Sequence, residues 1–308
     1  MSEAVENRIE ELLLQYTYFY GIRRSNNDKK NFYAYIDQQY KTLGYPVTFG
    51  KLPAGITRMG YCIAGDLETA QQVFIAPVNT KRKTYFPGYR YYPFHEQSTT
   101  VNNALAAITD TLFGVLICLA VWIIGWKLSS LNWVGFVCGA VAYAVYVFSR
   151  KGIFNFNASA PLALMHYLAI HCKNRKKYAF VFLDRSVDDY LSLKLFLIKH
   201  KSTLEKKNRI IFWNNLAGGT QLVLAGDTPD RAPAGLAQEL KANYHILPEK
   251  NKPKCFGITD NLWIMCGADS DNKQRYYVKN LRSKKDRKMD VKRLKHIAQT
   301  ILASDDQR

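Results

Sequence analysis

The sequence predicts an α/β chain: a three-layer α/β/α sandwich interrupted by a two-helix transmembrane hairpin. Three observations predict it. Beyond residue 155, fully apolar strand-type runs alternate with helix-period segments, the pattern of strands covered on both faces by helices. Residues 104–126 and 131–148 are long apolar runs joined by only "KLSS". The apolar strand-type run 71–78 precedes that pair, whereas the other strands of such a sheet lie beyond 178. The hairpin therefore reads as an insertion into one domain, with 1–103 and 149–308 as its two parts and 104–148 between them.

Each element follows in order. Residues 3–20 have the spacing of an amphipathic helix and lack a basic-then-apolar leader. A second helix covers 26–45, with Asn27 or Asp28 as its cap and Gly44 near its end. "QQVFIAPV" (71–78) is a buried strand, and "TKRKTYFPGYRYYPFHEQS" (80–98) is a Pro/Tyr-rich loop. The runs 104–126 and 131–148 each have about the 17–25 residues of a bilayer-spanning helix. Trp122, Trp126, Trp133 and Tyr146 lie towards their ends, where interfacial aromatics are favoured, and Gly135, Gly139, Ala140 and Ala142 allow close helix approach. Lys81, Arg82, Lys83 and Arg90 precede the pair, Arg150 and Lys151 follow it, and its loop carries only Lys127. This asymmetry predicts a multi-pass protein of the cell membrane with both soluble parts on the cytoplasmic side. Next come a helix at 159–172, a strand at 178–184, a helix at 187–201 and strands at 209–216 and 220–226. A helix at 233–244, a strand at 261–267, a short strand or loop at 275–281 and a helix at 290–303 complete the chain.

The formal charge of +18 is uneven: +3 over residues 1–100 and +15 over 149–308. A run at 273–296 holds eleven Lys/Arg against two Asp, among them Arg282, Lys284, Lys285, Arg287 and Lys288. Beside a membrane span it reads as a patch for anionic lipid. Nucleic acid is the rival, but no recognition motif or stacking platform accompanies the run, and no specific nucleic-acid partner is expected. Six cysteines are scattered without a CxxC pair, which suits free thiols in a reducing compartment. "LAGGTQLVLAG" (216–226) lacks both the P-loop Lys-Ser/Thr and the dinucleotide-binding spacing.

Four segments bear on chemistry. "KTLGY" (41–45) leads to "VFIAPVNT" (73–80), "FNASAP" (156–161) opens a helix, "FVFLDRSVDDYLS" (180–192) contains Asp184 at a strand end, and "IIFWNNLAGG" (210–219) contains Asn215 at another. In this order they resemble the zinc aminopeptidase family of metallo-exopeptidases, over most of residues 20–303 outside the hairpin. The resemblance implies a fold of the zinc-exopeptidase type and a His-x-Asp metal segment where Pro77 and Asn79 stand. It implies a zinc-bridging Asp where Phe156 stands beside Asn157, and a Glu pair where Ser186 and Val187 follow Asp184. It also implies a metal-site segment at Asn215 and a final His near 275–283, where none occurs.

Pro, Phe and Val supply none of the imidazole or carboxylate ligands that such a site uses. The expectation is thus a degenerate, membrane-anchored member without metal or cofactor, a pseudoenzyme rather than a peptidase. Its expected role is to bind a peptide or another membrane protein through the former cleft, with membrane lipid as a second partner. Tyr85, Phe86, Tyr89, Tyr91, Tyr92, Phe94 and His95 are candidate cleft residues. The rival is a divergent membrane-bound hydrolase with a non-standard site. His166 and His171, five apart on one helix, read as structural. Asp184, Asp188 and Asp189 suit either helix capping or acid–base work. Asp110, inside the first apolar run, is either a functional ionisable group or one that reaches the interface.

Overall fold

A computed structural model of the chain describes residues 2–54, 57–128, 132–149, 155–185, 190–227, 234–248, 252–272, 274–279, 281–282 and 290–306. Before the long helices come α1 (Ser2–Leu14), a π turn (Gln15–Phe19), α2 (Asn26–Thr42), β1 (Val47–Ala54), β2 (Thr57–Ala64), β3 (Gln72–Pro77) and β4 (Arg90–Tyr91). The long pair is α3 (Glu96–Leu128) and α4 (Asn132–Ser149). Then follow α5 (Phe156–His171), β5 (Tyr178–Leu183), α6 (Leu191–Lys199), α7 (Lys201–Leu204), β6 (Arg209–Trp213), β7 (Gln221–Gly226), α8 (Ala234–Glu239), β8 (Asn243–Ile246), β9 (Leu262–Ser270), β10 (Tyr276–Lys279) and α9 (Val291–Asp306).

The sheet runs β1-β2-β5-β3-β6-β9-β7-β8, with β5, β3, β6 and β9 parallel at its centre. The far end of β9 also carries β10, which pairs with β4. Strand β3 lies between β5 and β6, so segments from either side of α3 and α4 build one sheet. Alternation along each strand divides the core. Phe74, Phe180, Phe182 and Trp213 join residues of α1, α2, α5 and α9 on one face. Val73, Ile75, Val181, Leu183 and Phe212 join α6, the 89–94 loop and Ala106 of α3 on the other. Helix α5 lies so deep that every residue from Phe156 to Ala169 is buried, which is why its sequence is apolar nearly all round. Asn155 caps it, its Oδ1 accepting from the Ala158 N–H at 2.8 Å.

The long helices differ from expectation. Helix α3 starts at Glu96 rather than 104, because its first turns pack on the α/β body. Asp110 marks the root of the pair: its Oδ1 accepts from Thr84 Oγ1 at 3.1 Å and from the Tyr85 N–H at 2.7 Å. The Tyr146 hydroxyl donates to the Asp110 carbonyl at 2.8 Å, and the Tyr85 ring stacks on Phe113 and Tyr146. Beyond this root, α4 runs back along α3. Gly125 faces Gly135 and Gly139 faces Cys118, and a Cβ at Gly125 would lie 2.7 Å from the Gly135 Cα. Among the described residues one helix, Glu96–Leu128, is long and apolar enough to cross a membrane, with 11% of its apolar window buried. The second expected span is corrected to a shorter apolar helix, Trp133–Phe148.

Smaller departures have local causes. The 3–20 helix gives way to the π turn at Gln15, where the carbonyl of Tyr16, and that of Tyr20 just past the turn, accept from a buried arginine described below. The 187–201 helix is described from Leu191 and breaks at His200.

Candidate functional site

The C-terminal ends of the parallel strands form the site's floor, as in other α/β sheets that bind ligands there. Pro77 ends β3, and the Val78 N–H that follows donates to the Leu183 carbonyl at 2.7 Å. Asp184 follows β5, and Asn214 and Asn215 follow β6. Phe156 and Asn157 open α5, with Asn157 against Gly218, where any Cβ would collide with the asparagine amide. Asp184, Asn214, Asn215, Phe156 and Asn157 are all buried. Asn79 is half-buried. Ser186, Val187, Asp188 and Asp189 lie outside the described residues.

At the centre the floor is covered. Asn214 Nδ2 donates to the Tyr91 hydroxyl at 2.9 Å and to the Tyr190 hydroxyl at 3.3 Å. Tyr91 donates to Tyr190 at 3.2 Å, and Tyr190 to the Pro93 carbonyl at 2.8 Å. Asn215 donates to Asn214 Oδ1. The Lys81 ammonium sits 3.7 Å from the centroid of the Tyr91 ring and is itself buried. Burial pushes the Tyr190 phenol above its ordinary range, so at neutral pH it remains a donor. Tyr190, Asn215 and Arg185 all take positive φ, at 53°, 57° and 57°. For a bulky tyrosine this conformation costs about 1–2 kcal/mol, so the surrounding hydrogen bonds hold it there.

The rim is tied by Arg23. Its guanidinium is fully buried and donates to the carbonyls of Val78 (2.6 Å), Tyr16 (3.0 Å), Tyr20 (2.5 Å) and Ala158 (3.4 Å). It therefore joins the exit of β3 to the entry of α5. Burial pulls it down to about 9, still far above neutrality, so it is charged there.

An opening remains beside Asp184. A hollow of about 430 Å³ is lined by Lys29, Lys30, Tyr33, Phe49 and Asp184. Lys29 pairs with Asp184 at 2.7 Å, both side chains nearly buried. The retained carboxylate is thus held in an ion pair with an ammonium.

The aromatic loop folds differently from expectation. Tyr91 and Tyr92 are buried rather than lining an open cleft, because β4 pairs with β10 and carries them into the core. Tyr85 belongs to the root of the long helices, and Phe86 packs on the core. His95 lines a separate hollow of about 330 Å³ with Tyr92, Ser98 and Arg275. Its Nδ1 accepts from the Ser98 N–H at 3.2 Å. His166 is buried against Tyr16, away from the strand ends, and burial lowers it to about 4. Arg282 is committed to the Arg82 carbonyl at 2.9 Å and lies over the Tyr89 ring. Lys284, Lys285, Arg287 and Lys288 lie outside the described residues.

Sequence reasoning missed Lys29, Lys81, Tyr190 and Asn214 as members of this site. The only signal was the Asn214–Asn215 doublet at a strand end; Lys81 and Tyr190 lie just past the ends of β3 and β5 but carry no motif, and Lys29 comes from α2. Among the described residues no three His, Cys, Asp or Glu side chains gather as a metal-binding group.

Comparison places the fold. No family model matches the chain, and no curated protein matches it. Solved structures do. A glutaminyl cyclase of Porphyromonas gingivalis superposes with a TM-score of 0.56 at 10% identity, covering 100% of this chain and 99% of that one. A Zn-dependent exopeptidase of Parabacteroides distasonis gives 0.55 at 12%, covering 100% and 98%. The LapA aminopeptidase of Legionella pneumophila gives 0.52 at 8%, covering 98% of this chain and 71% of that one. The chain shares the mixed α/β fold of glutaminyl cyclases and zinc exopeptidases. The aminopeptidase resemblance thus widens to include the cyclases.

Proposed function

We propose that this chain is a non-catalytic, membrane-anchored binding protein built on the exopeptidase fold. One observation carries the reading. Where the resemblance would put zinc ligands stand Pro77 and Asn215 at strand ends and Phe156 at the start of α5, and Asn215 is tied through Asn214 to Tyr91 and Tyr190, with Lys81 over the Tyr91 ring. These residues do not fit zinc. Pro77 and Phe156 bring no donor atom, and the neutral Asn amides are already hydrogen-bonded to one another and to Tyr91. A buried ammonium at the same end of the sheet would also repel a dication.

Anchoring is supported by the long helices. Beyond Asp110, residues 111–128 of α3 extend about 27 Å, close to a bilayer's hydrocarbon thickness. Leu112, Phe113, Leu116, Ile124, Phe136, Val141 and Val145 are exposed along the pair, far more apolar surface than water-facing helices carry. Helix α4 returns the chain to the α/β body, so both soluble parts share one side, the cytoplasmic one by the charge of the flanks. The binding face would be the hollow beside Asp184, where Lys29, Lys30, Tyr33 and Phe49 suit a peptide or protein segment with an acidic and an apolar group.

The test uses the purified full chain in detergent. Zinc content is measured by mass spectrometry after zinc incubation and desalting, with aminopeptidase and glutaminyl cyclase turnover assayed on the same sample. The expected result is no stoichiometric zinc and no turnover. Retained zinc with turnover that Asp184→Asn abolishes would overturn the proposal and favour a divergent hydrolase.

A further inference from the structure

We infer that the foot of the long helices holds a binding site for the headgroup of an anionic phospholipid. The inference rests on the membrane anchoring proposed above. A hollow of about 520 Å³ opens between the start of α2 and the last turn of α4, and Arg24, Arg82, Ser25, Asp28, Val147 and Phe148 line it. That size lies within the roughly 300–1,000 Å³ of small-molecule sites.

Its two walls differ in chemistry. On one side stand two guanidinium groups. Arg24 is half-buried and Arg82 exposed, and among the described residues neither side chain makes an ion pair. The Asp28 carboxylate in the same hollow is turned back to the cap of α2, accepting from the N–H groups of Ser25 at 2.9 Å and Arg24 at 3.4 Å. The net charge facing the hollow is positive. On the other side Val147 and Phe148 offer apolar surface, with Phe148 68% exposed. These two residues directly follow Tyr146, which is tied to Asp110 at the level where the helices leave the α/β body. A cationic wall and an apolar wall meeting at that level match a phosphate attached to an acyl-bearing glycerol. A free phosphate would use the arginines and leave the apolar wall without purpose. Arginine forks bind phosphate oxygens bidentately, which suits this pair better than a diffuse lysine field.

The experiment is native mass spectrometry of the full chain released from uncharged detergent, with phosphatidylglycerol, phosphatidylcholine or inorganic phosphate added. Wild type should retain phosphatidylglycerol over phosphatidylcholine. The Arg24→Gln, Arg82→Gln double variant should lose it by roughly tenfold or more, as expected for removing two charge-assisted contacts. The Lys, Lys double variant should keep part of it, and circular dichroism should match wild type in both. Undiminished retention by the Gln variant, equal retention of the two lipids, or displacement of the lipid by inorganic phosphate would overturn the inference. Alkaline carbonate extraction of native membranes separates the two levels. A wild-type chain that resists extraction but fails the lipid test refutes only this site. One that is released refutes the anchoring and the site together.

Discussion

Acid should destabilise this protein through one buried imidazole in particular. His166 lies within α5, with its Nδ1 3.1 Å from the Tyr16 hydroxyl, ringed by Tyr16, Tyr35 and Tyr40. Burial, with a smaller repulsion from Arg8, lowers it from 6.5 to about 4. In the unfolded chain it regains its ordinary value, so between the two values the unfolded state binds the extra proton. The stability is therefore fully present above about pH 6.5 and is lost as pH falls towards about 4. The gap between the two values corresponds to about 3 kcal/mol. Against a typical total of about 5–15 kcal/mol this is a large fraction. The assay is thermal or urea unfolding of the full chain in detergent at pH 7 and pH 4.5, for wild type and His166→Phe. Phenylalanine fills a similar volume among the tyrosines and leaves the Tyr16 hydroxyl without its partner, costing about 1–3 kcal/mol at pH 7. On acidification the variant should lose about 2–3 kcal/mol less than wild type, since the other titrating groups cancel in the comparison. Equal losses in the two proteins would refute the assignment of acid sensitivity to this residue.

Three further outcomes follow from the same coordinates. Arg23→Met should destabilise the fold by about 3–5 kcal/mol, because four carbonyls, three of them in buried contacts, lose a charged donor; an unfolding midpoint within error of wild type would contradict this. Asp110→Ala should cost about 1–3 kcal/mol and open the 80–95 loop to protease, whereas Asp110→Asn, which keeps an acceptor oxygen, should lose less; identical cleavage patterns would count against the root described above. Cys138 is exposed on α4, whereas Cys62 and Cys255 are buried thiols pushed up to about 12. In native vesicles a membrane-impermeant charged maleimide should label none of the three, and after detergent solubilisation it should still spare Cys62 and Cys255. Rapid labelling of Cys138 in intact vesicles would show α4 in water.

Much of the sheet was legible because β3, β5, β6 and β9 are apolar on both faces, and such runs have few other uses. The β1–β2 hairpin was not legible. Gly50, Pro53 and Gly60 break its alternation, and the reason for Gly50 is tertiary: a Cβ there would meet the Tyr61 ring. β8 has only four residues, half of them exposed, too few to set a period. The first turns of α3 escaped because Glu96 to Asn103 are mostly polar, and their packing on the body depends on the 80–95 loop. At the site, Pro77, Asp184 and Asn215 could be found by counting to strand ends. Tyr91 could not, since its position follows from the pairing of β4 with β10, about 185 residues further along the chain, and Lys81 is buried against the Tyr91 ring so placed. The charged flank that suggested orientation also concealed a lysine turned inward.

The placement of β3 has a consequence for how the molecule is made. Both of its neighbours, β5 and β6, leave the ribosome only after α3 and α4 have emerged. Until then the strand's backbone donors and acceptors have no sheet to join, and Phe74 and Ile75 lack the layers that α5 and α6 later supply. The growing chain must therefore deliver its apolar helices to their destination while the first third of the body waits unfinished, and closing the sheet is what joins the two halves across that insertion.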